Sequence, residues 1–391
     1  MLKVLHRNAV RIQEFGGRAR EVLHEVHAEP LPSGVHAGEY LREVARTGDV
    51  ERSDRVYASV AALPVGEAFN HLQYELEDEV DVHRIVLAWR AWDTLEIAGE
   101  GWAHCLLRQS VRYCATSEKR LIDSGSARSS VRDVLPKLMD QYRLLSRAPG
   151  SKVGDDRWID ELAETIFRGS RESAADAVAQ AYVEGYDPKS IGEALSIAAN
   201  RLVLHDPGRP AEWSSPEKPT GSCHGDSIGV HASDAANAWR NILQVSNSRN
   251  VAASLIVGAF HTAGQSSRSS AQSIPAEDRV EAVSGESSDR ILSQLEAFIR
   301  AGDQIGAAAA AVKFSRSGAS ERPILDLLLR FAVSEDGALH AEKYYHTAAS
   351  EFATTRTAFR WNQIVGLARV TASEFGRPSP GYEAAKRVLQ V

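Results

Sequence analysis

The chain has 391 residues, 43% of them hydrophobic and 25% charged, with a formal net charge of -7 and a pI near 6.0. That is enough length for one large domain or two modest ones, and the absence of a basic surplus, with arginines spread along the chain, excludes a phosphate-tracking nucleic-acid surface. Three cysteines, Cys105, Cys114 and Cys223, are too few and too scattered for a disulfide framework or a cysteine zinc site, so a reducing compartment fits.

The N-terminal stretch MLKVLHRNAVRIQEFGGRAREVLHEVHAEP is charged every few residues and lacks the apolar run of a secretory signal. No segment approaches the roughly 20 apolar residues needed to span a bilayer, SLIVGAF and IGAAAAAV being the nearest. The expectation is a cytoplasmic protein with no membrane partner. Helical periodicity then recurs along the chain. Val82 to Cys114 reads as two packed helices with a break at Gly99 or Gly101. Similar patterns follow in VRDVLPKLMDQYRLL, IDELAETIFRGSRESAADAVAQAYVEG, SIGEALSIAANRLVLH, DAANAWRNILQV, NVAASLIVGAFHTAG, RILSQLEAFIRAG, PILDLLLRFAVSE and the run from Ala338 to Phe375. Alternating strand patterns bounded by tight turns are absent. The fold class predicted is all-α: one large helical domain, a helical bundle, with an N-terminal helical subdomain over 1–150 packed against a C-terminal one over 151–391.

Two long loops interrupt the pattern, His205 to Gly229 and Gln265 to Arg290. Structureless loops of that length are either functional or mobile. The first carries His205, Trp213 and His224 and reads as functional; the second is serine-rich and reads as mobile. No repeat of fixed period is present, which argues against a solenoid.

Thirteen histidines are the main chemical resource, since imidazole is both a common metal ligand and a proton shuttle near neutral pH. In LHAEKYYHT, at about 100° per residue, His340, Lys343 and His346 fall on one arc with the lysine in the middle. A lysine buried there needs a carboxylate partner such as Glu342 or Glu351, a lowered pKa that frees the amine as a base, or carbamylation to an anionic metal ligand. Otherwise it points to solvent. In HASDAANAWRN, Asp234 lies one turn beyond His231 and can accept its second ring N–H, the usual device for fixing a ligating imidazole. NVAASLIVGAFHTAG is apolar on all faces, so His261 is expected to be buried with a partner. HCLLRQ sets His104 and Arg108 one turn apart, the arginine suited to an anionic substrate group or to a structural ion pair.

Gly-rich nucleotide loops, H-E-x-x-H, C-x-x-C-H and G-x-S-x-G are all missing. What remains is a histidine-rich mononuclear site. The segments FNHLQYEL, VHASDAANAW and HAEKYYHT resemble, in order and helical context, the histidine-bearing segments of the questin-oxidase-like family of all-helical oxygenases. After His71 this chain has Gln73 and Tyr74 where that family would carry a further histidine. The resemblance implies oxidation of polycyclic aromatic compounds by a non-haem iron held by several histidines, helped by a modified lysine. It implies His71, His231, His340 and Lys343 as ligands, with His261 added from its own context.

The resulting expectation is a metal-dependent oxidoreductase, with iron held by His71, His231, His261, His340 and carbamylated Lys343, and O2 as co-substrate. The catalytic set is His104, Arg108, Asp234 and His346, and the loop His205 to Gly229 closes over an apolar or aromatic small-molecule substrate. Manganese or zinc suits the same ligands, and zinc would make the protein a hydrolase. The remaining alternative is a non-catalytic helical interaction protein. Oligomeric state is not readable from the sequence.

Overall fold

A computed structural model describes residues 2–14, 16–17, 26–216, 218–223, 227–337 and 340–390, with backbone alone over 2–5. The chain is all-α: nineteen α-helices joined by loops and short 3-10 turns, with isolated bridges but no strand among the described residues. No described helix is long and apolar enough to cross a membrane. The helices gather into two compact units, one made of Met1–Leu23, Ala199–Asp234 and Gln265–Val391, the other of His24–Ala198 and Ala235–Gly264.

In the second unit, helices Ala37–Ala45, Val50–Val60, Val65–Leu76, Val82–Ala98 and Ala103–Ser124 pack around Leu41, Val56, Phe69, Leu72, Ile85 and Val111. The expected break after Val82 falls at Gly99, whose φ of 87° ends one helix before the next begins at Ala103. Aspartates cap the starts, as Asp81 does for His83 N at 2.9 Å and Asp155 for Trp158 N at 2.8 Å. A second group of helices packs on Ser248–Thr262, in which every residue from Asn250 to Thr262 is buried, as its all-round apolar sequence requires.

In the first unit, helices Ser288–Arg300, Gln304–Arg316, Arg322–Ser334, His340–Thr354 and Trp361–Glu374 share one core that includes Ile291, Leu295, Phe314, Leu328, Phe352 and Ile364. The alanine run Ala307–Ala311 is fully buried, and its small side chains let Gln304–Arg316 lie close against Trp361–Glu374. Buried Arg369 closes off the preceding helix Pro188–Leu204: its Nη1 donates to Val203 O at 2.6 Å and its Nη2 to Asp206 O at 2.5 Å. A guanidinium satisfies those end carbonyls and suits the negative end of the helix dipole.

Of the run read as helical from Ala338 to Phe375, Ala338 and Leu339 lie outside the described residues and the rest holds two helices, His340–Thr354 and Trp361–Glu374. The loop expected to be mobile, Gln265 to Arg290, contains the helix Glu277–Glu281 and is anchored. Ser270 N donates to His205 O at 2.7 Å, and Ile274 N to Leu204 O at 2.7 Å. These backbone bonds pin a segment whose side chains gave no periodic signal.

Candidate functional site

The first unit brings together side chains from two helices far apart in sequence. Ile228–Ile242 supplies His231 and Asp234, three residues apart and therefore on one face. His340–Thr354 supplies His340, Lys343 and Thr347, spaced three and four apart on its own stripe. The stripes meet rung by rung. His231 Nε2 lies 3.4 Å from His340 Nε2, Lys343 Nζ lies 2.8 Å from Asp234 Oδ2, and Thr347 Oγ1 donates to Asp234 Oδ1 at 2.7 Å. Both rungs advance in the same chain direction, so the two stripes run parallel.

The tautomer of His340 follows from its second contact. Its Nδ1 is 2.9 Å from Gly337 O, and a carbonyl oxygen only accepts, so Nδ1 carries the proton and Nε2 presents its lone pair to His231. His340 N also donates to Gly337 O, at 2.8 Å. Gly337 is packed tightly: a Cβ there would lie 2.8 Å from Ala341 N and 2.9 Å from each carboxylate oxygen of Glu374.

Two nitrogens each roughly 2.0–2.1 Å from one tetrahedral ion stand about 3.3–3.4 Å apart. The His231–His340 spacing therefore matches two ligands of a single ion. It also lies at the long end of hydrogen-bond reach, beyond the roughly 2.7–3.2 Å of N–H···O bonds. Among the described residues, however, no group of three or more His, Cys, Asp or Glu side chains could hold a metal ion.

Of the ways to bury Lys343, the structure uses a carboxylate partner, supplied by Asp234 rather than by Glu342 or Glu351. The side chain of Asp234 is fully buried, and its two oxygens face Lys343 and Thr347. A carbamate on Lys343 would set a second anion beside this one. Tyr344 lies on the same helix, fully buried, and burial drives its phenol far above the ordinary value near 10. His346 is exposed, on the outer side of the helix.

The other expected residues lie in the second unit. His71 is half-buried on Val65–Leu76, with Nε2 3.8 Å from Glu67 Oε1 and its ring 4.9 Å from that of His36. Burial, then the neighbouring His36, pushes its pKa down. His261 is buried at the end of Ser248–Thr262. His104 is exposed, with its ring 5.9 Å from that of Tyr57. Arg108 donates to buried Asp54 at 2.8 Å, and Arg112 pairs with the same carboxylate, so Arg108 serves a structural ion pair.

The first unit also holds a pocket of about 470 Å3. Its walls come from the end of the helix Pro188–Leu204, from Asp206 to Trp213, from Ser227 to Gly229 and from Gln265 to Ser269. Both long loops thus contribute to it. Part of the first loop, Glu217 and His224 to Asp226, lies outside the described residues, and so does Leu339 in the LHAEKYYHT stretch. The helix start at Gly229 passes so close to the preceding helix that a Cβ there would lie 2.6 Å from Val203 N. Sequence reasoning overlooked Gly337, Thr347 and Arg369. The i, i+4 spacing of Lys343 and Thr347 was the only available signal for the second of these. The chain matches no protein-family model, no curated protein and no solved structure.

Proposed function

We propose that the chain is a metal-dependent oxidoreductase acting on an apolar or aromatic small molecule in a reducing, cytoplasmic setting. In this reading His231 and His340 hold the ion through Nε2. One observation carries it: the 3.4 Å spacing of the two Nε2 atoms, with His340 held by Gly337 O in the tautomer whose Nε2 lone pair can ligate. Two imidazoles suit iron, manganese or zinc and leave the other positions to water and substrate. Bound iron would supply O2 chemistry, whereas zinc would polarise water and make the enzyme a hydrolase. Lys343 and Asp234 act here as a neutral buttress one turn along. The three free cysteines, two of them buried, support the reducing compartment.

The test is metal analysis of untagged protein, with the single variants His231→Ala and His340→Ala and the double variant. The expected result is close to one equivalent of iron, lost in each single variant with no further loss in the double. Zinc at one equivalent without iron would convert the reading to the hydrolase. Wild-type protein that neither carries nor takes up a divalent metal would end it.

A further inference from the structure

The Trp213 pocket carries a second conclusion that does not depend on any metal. Trp213 closes a short 3-10 turn, Ala211–Trp213, and is 50% exposed, an uncommon exposure for an indole. The turn is braced by its neighbours. Arg209 N donates to Ser222 O at 2.9 Å, Gly221 N to Arg209 O at 2.8 Å, and Arg209 Nη1 to Trp213 O at 3.2 Å. The backbone of the turn is thus held in place while the indole stays half-exposed.

Over its ring, 4.1 Å from the centroid, sits the guanidinium carbon of Arg268, reaching across from the other loop. This cation–π contact holds the guanidinium against the indole. Among the described residues no carboxylate lies within ion-pair distance of Arg268. Two acids line the pocket, Asp206 and Glu212, and neither forms an ion pair with Arg268; Asp206 is engaged, its Oδ1 accepting from Gly208 N at 2.7 Å and its Oδ2 facing Cys223 Sγ at 3.5 Å. Leu202, Pro207, Pro210 and Ile228 give the wall its apolar surface, alongside polar residues that include Glu212, Ser227 and Gln265. A volume of about 470 Å3 falls within the roughly 300–1,000 Å3 of small-molecule sites.

We infer that this pocket binds a flat, apolar carboxylate, its ring system lying among Trp213, Pro210 and Ile228 and its carboxylate taken by the planar fork of Arg268. A planar guanidinium held against the indole presents parallel N–H donors, the geometry that selects carboxylate over an isosteric amide. The apolar wall selects against small hydrophilic anions.

The experiment is calorimetric titration of the full chain with 2-naphthoate and, separately, with the uncharged 2-naphthamide. Naphthoate is expected to bind at least about 10-fold more tightly, the scale of a charge-assisted hydrogen bond. Arg268→Gln should remove that preference while both compounds still bind, and Trp213→Ala should weaken both. Both side chains are on the surface, and unchanged circular dichroism shows that the variants fold. His340→Ala should bind naphthoate like the wild type, so a failed metal reading leaves this inference standing. Equal affinity for the two probes, a preference that survives Arg268→Gln, or no binding of either would overturn it.

Discussion

Replacing Lys343 with methionine keeps the length and most of the volume of the side chain but removes the cation facing Asp234. The Asp234 side chain is fully buried, whereas Lys343 is 17% exposed, so the carboxylate bears the consequence. An uncompensated buried charge costs roughly 3–5 kcal/mol. Protonation of Asp234 sets a ceiling: neutralising an aspartate with an ordinary pKa near 3.9 costs about 4 kcal/mol at pH 7 and about 1.5 kcal/mol at pH 5. Lys343→Met should therefore lose about 3–4 kcal/mol at pH 7 and no more than about 1.5 kcal/mol at pH 5. The loss is therefore largest where the carboxylate must stay charged, and it shrinks as pH falls. Urea unfolding at the two pH values measures both losses, and the double variant Asp234→Asn/Lys343→Met should recover most of the pH 7 loss. A loss that is the same at both pH values, or below about 0.5 kcal/mol at pH 7, would refute the buried ion pair and return Lys343 to the class of surface lysines.

Two further outcomes follow from the packing. Gly337→Ala forces a Cβ against Ala341 N and the Glu374 carboxylate, so a loss of about 1–3 kcal/mol in urea unfolding is expected, together with weaker metal uptake as the His340 anchor shifts; wild-type stability would refute the close packing. In the second unit, burial holds the Glu75 carboxyl well above its usual range, opposed by Arg84 and reinforced by Asp78, with Cys114, Glu118 and Tyr57 also facing it. A raised folded pKa means stability that is complete below the unfolded value and is lost as pH rises through the folded one. Glu75→Gln, which imitates the protonated form, should flatten the decline that sets in as pH rises above the ordinary glutamate value, by up to about 1.4 kcal/mol per pH unit, and parallel profiles for variant and wild type would count against it.

The helices were legible because each depends on a local pattern. Apolar spacing marked Val82–Ala98 and Ala103–Ser124, and the glycine between them marked the break. The all-round apolar stretch before His261 announced its burial, and the pocket wall at Trp213 fell within the loop singled out for its histidines and tryptophan. The periodicity of LHAEKYYHT put His340, Lys343 and His346 on one arc; His340 and Lys343 do face the same partner helix, while His346 at the edge of that arc is exposed. What it could not provide was the element opposite. A helical period says which residues share a face, and nothing about which helix that face meets more than a hundred residues away. Local reasoning therefore offered Lys343 the carboxylates nearest in the chain, Glu342 and Glu351, and gave Asp234 to His231, whereas packing gave Asp234 to Lys343 and Thr347. Arg369 was invisible for the same reason, since its partners are backbone carbonyls that carry no residue signature.

The pairing of Asp234 with Lys343 also bears on what the imidazoles can hold. The two groups stand one helical turn from His231 and His340 respectively, about 5–6 Å along each stripe. An unpaired ammonium at that range, in surroundings of low dielectric, would repel a divalent cation by several kcal/mol. Paired at 2.8 Å, the lysine and aspartate sum to zero charge, and the repulsion reduces to that of a dipole. Two neutral imidazoles beside a neutral ion pair add no net positive charge against an incoming metal ion, and metal binding requires the imidazoles in that neutral form. On the proposed metal reading, the lysine in this stripe would therefore serve the site by being neutralised, and Asp234, which neutralises it, would be needed for the two histidines to accept a cation.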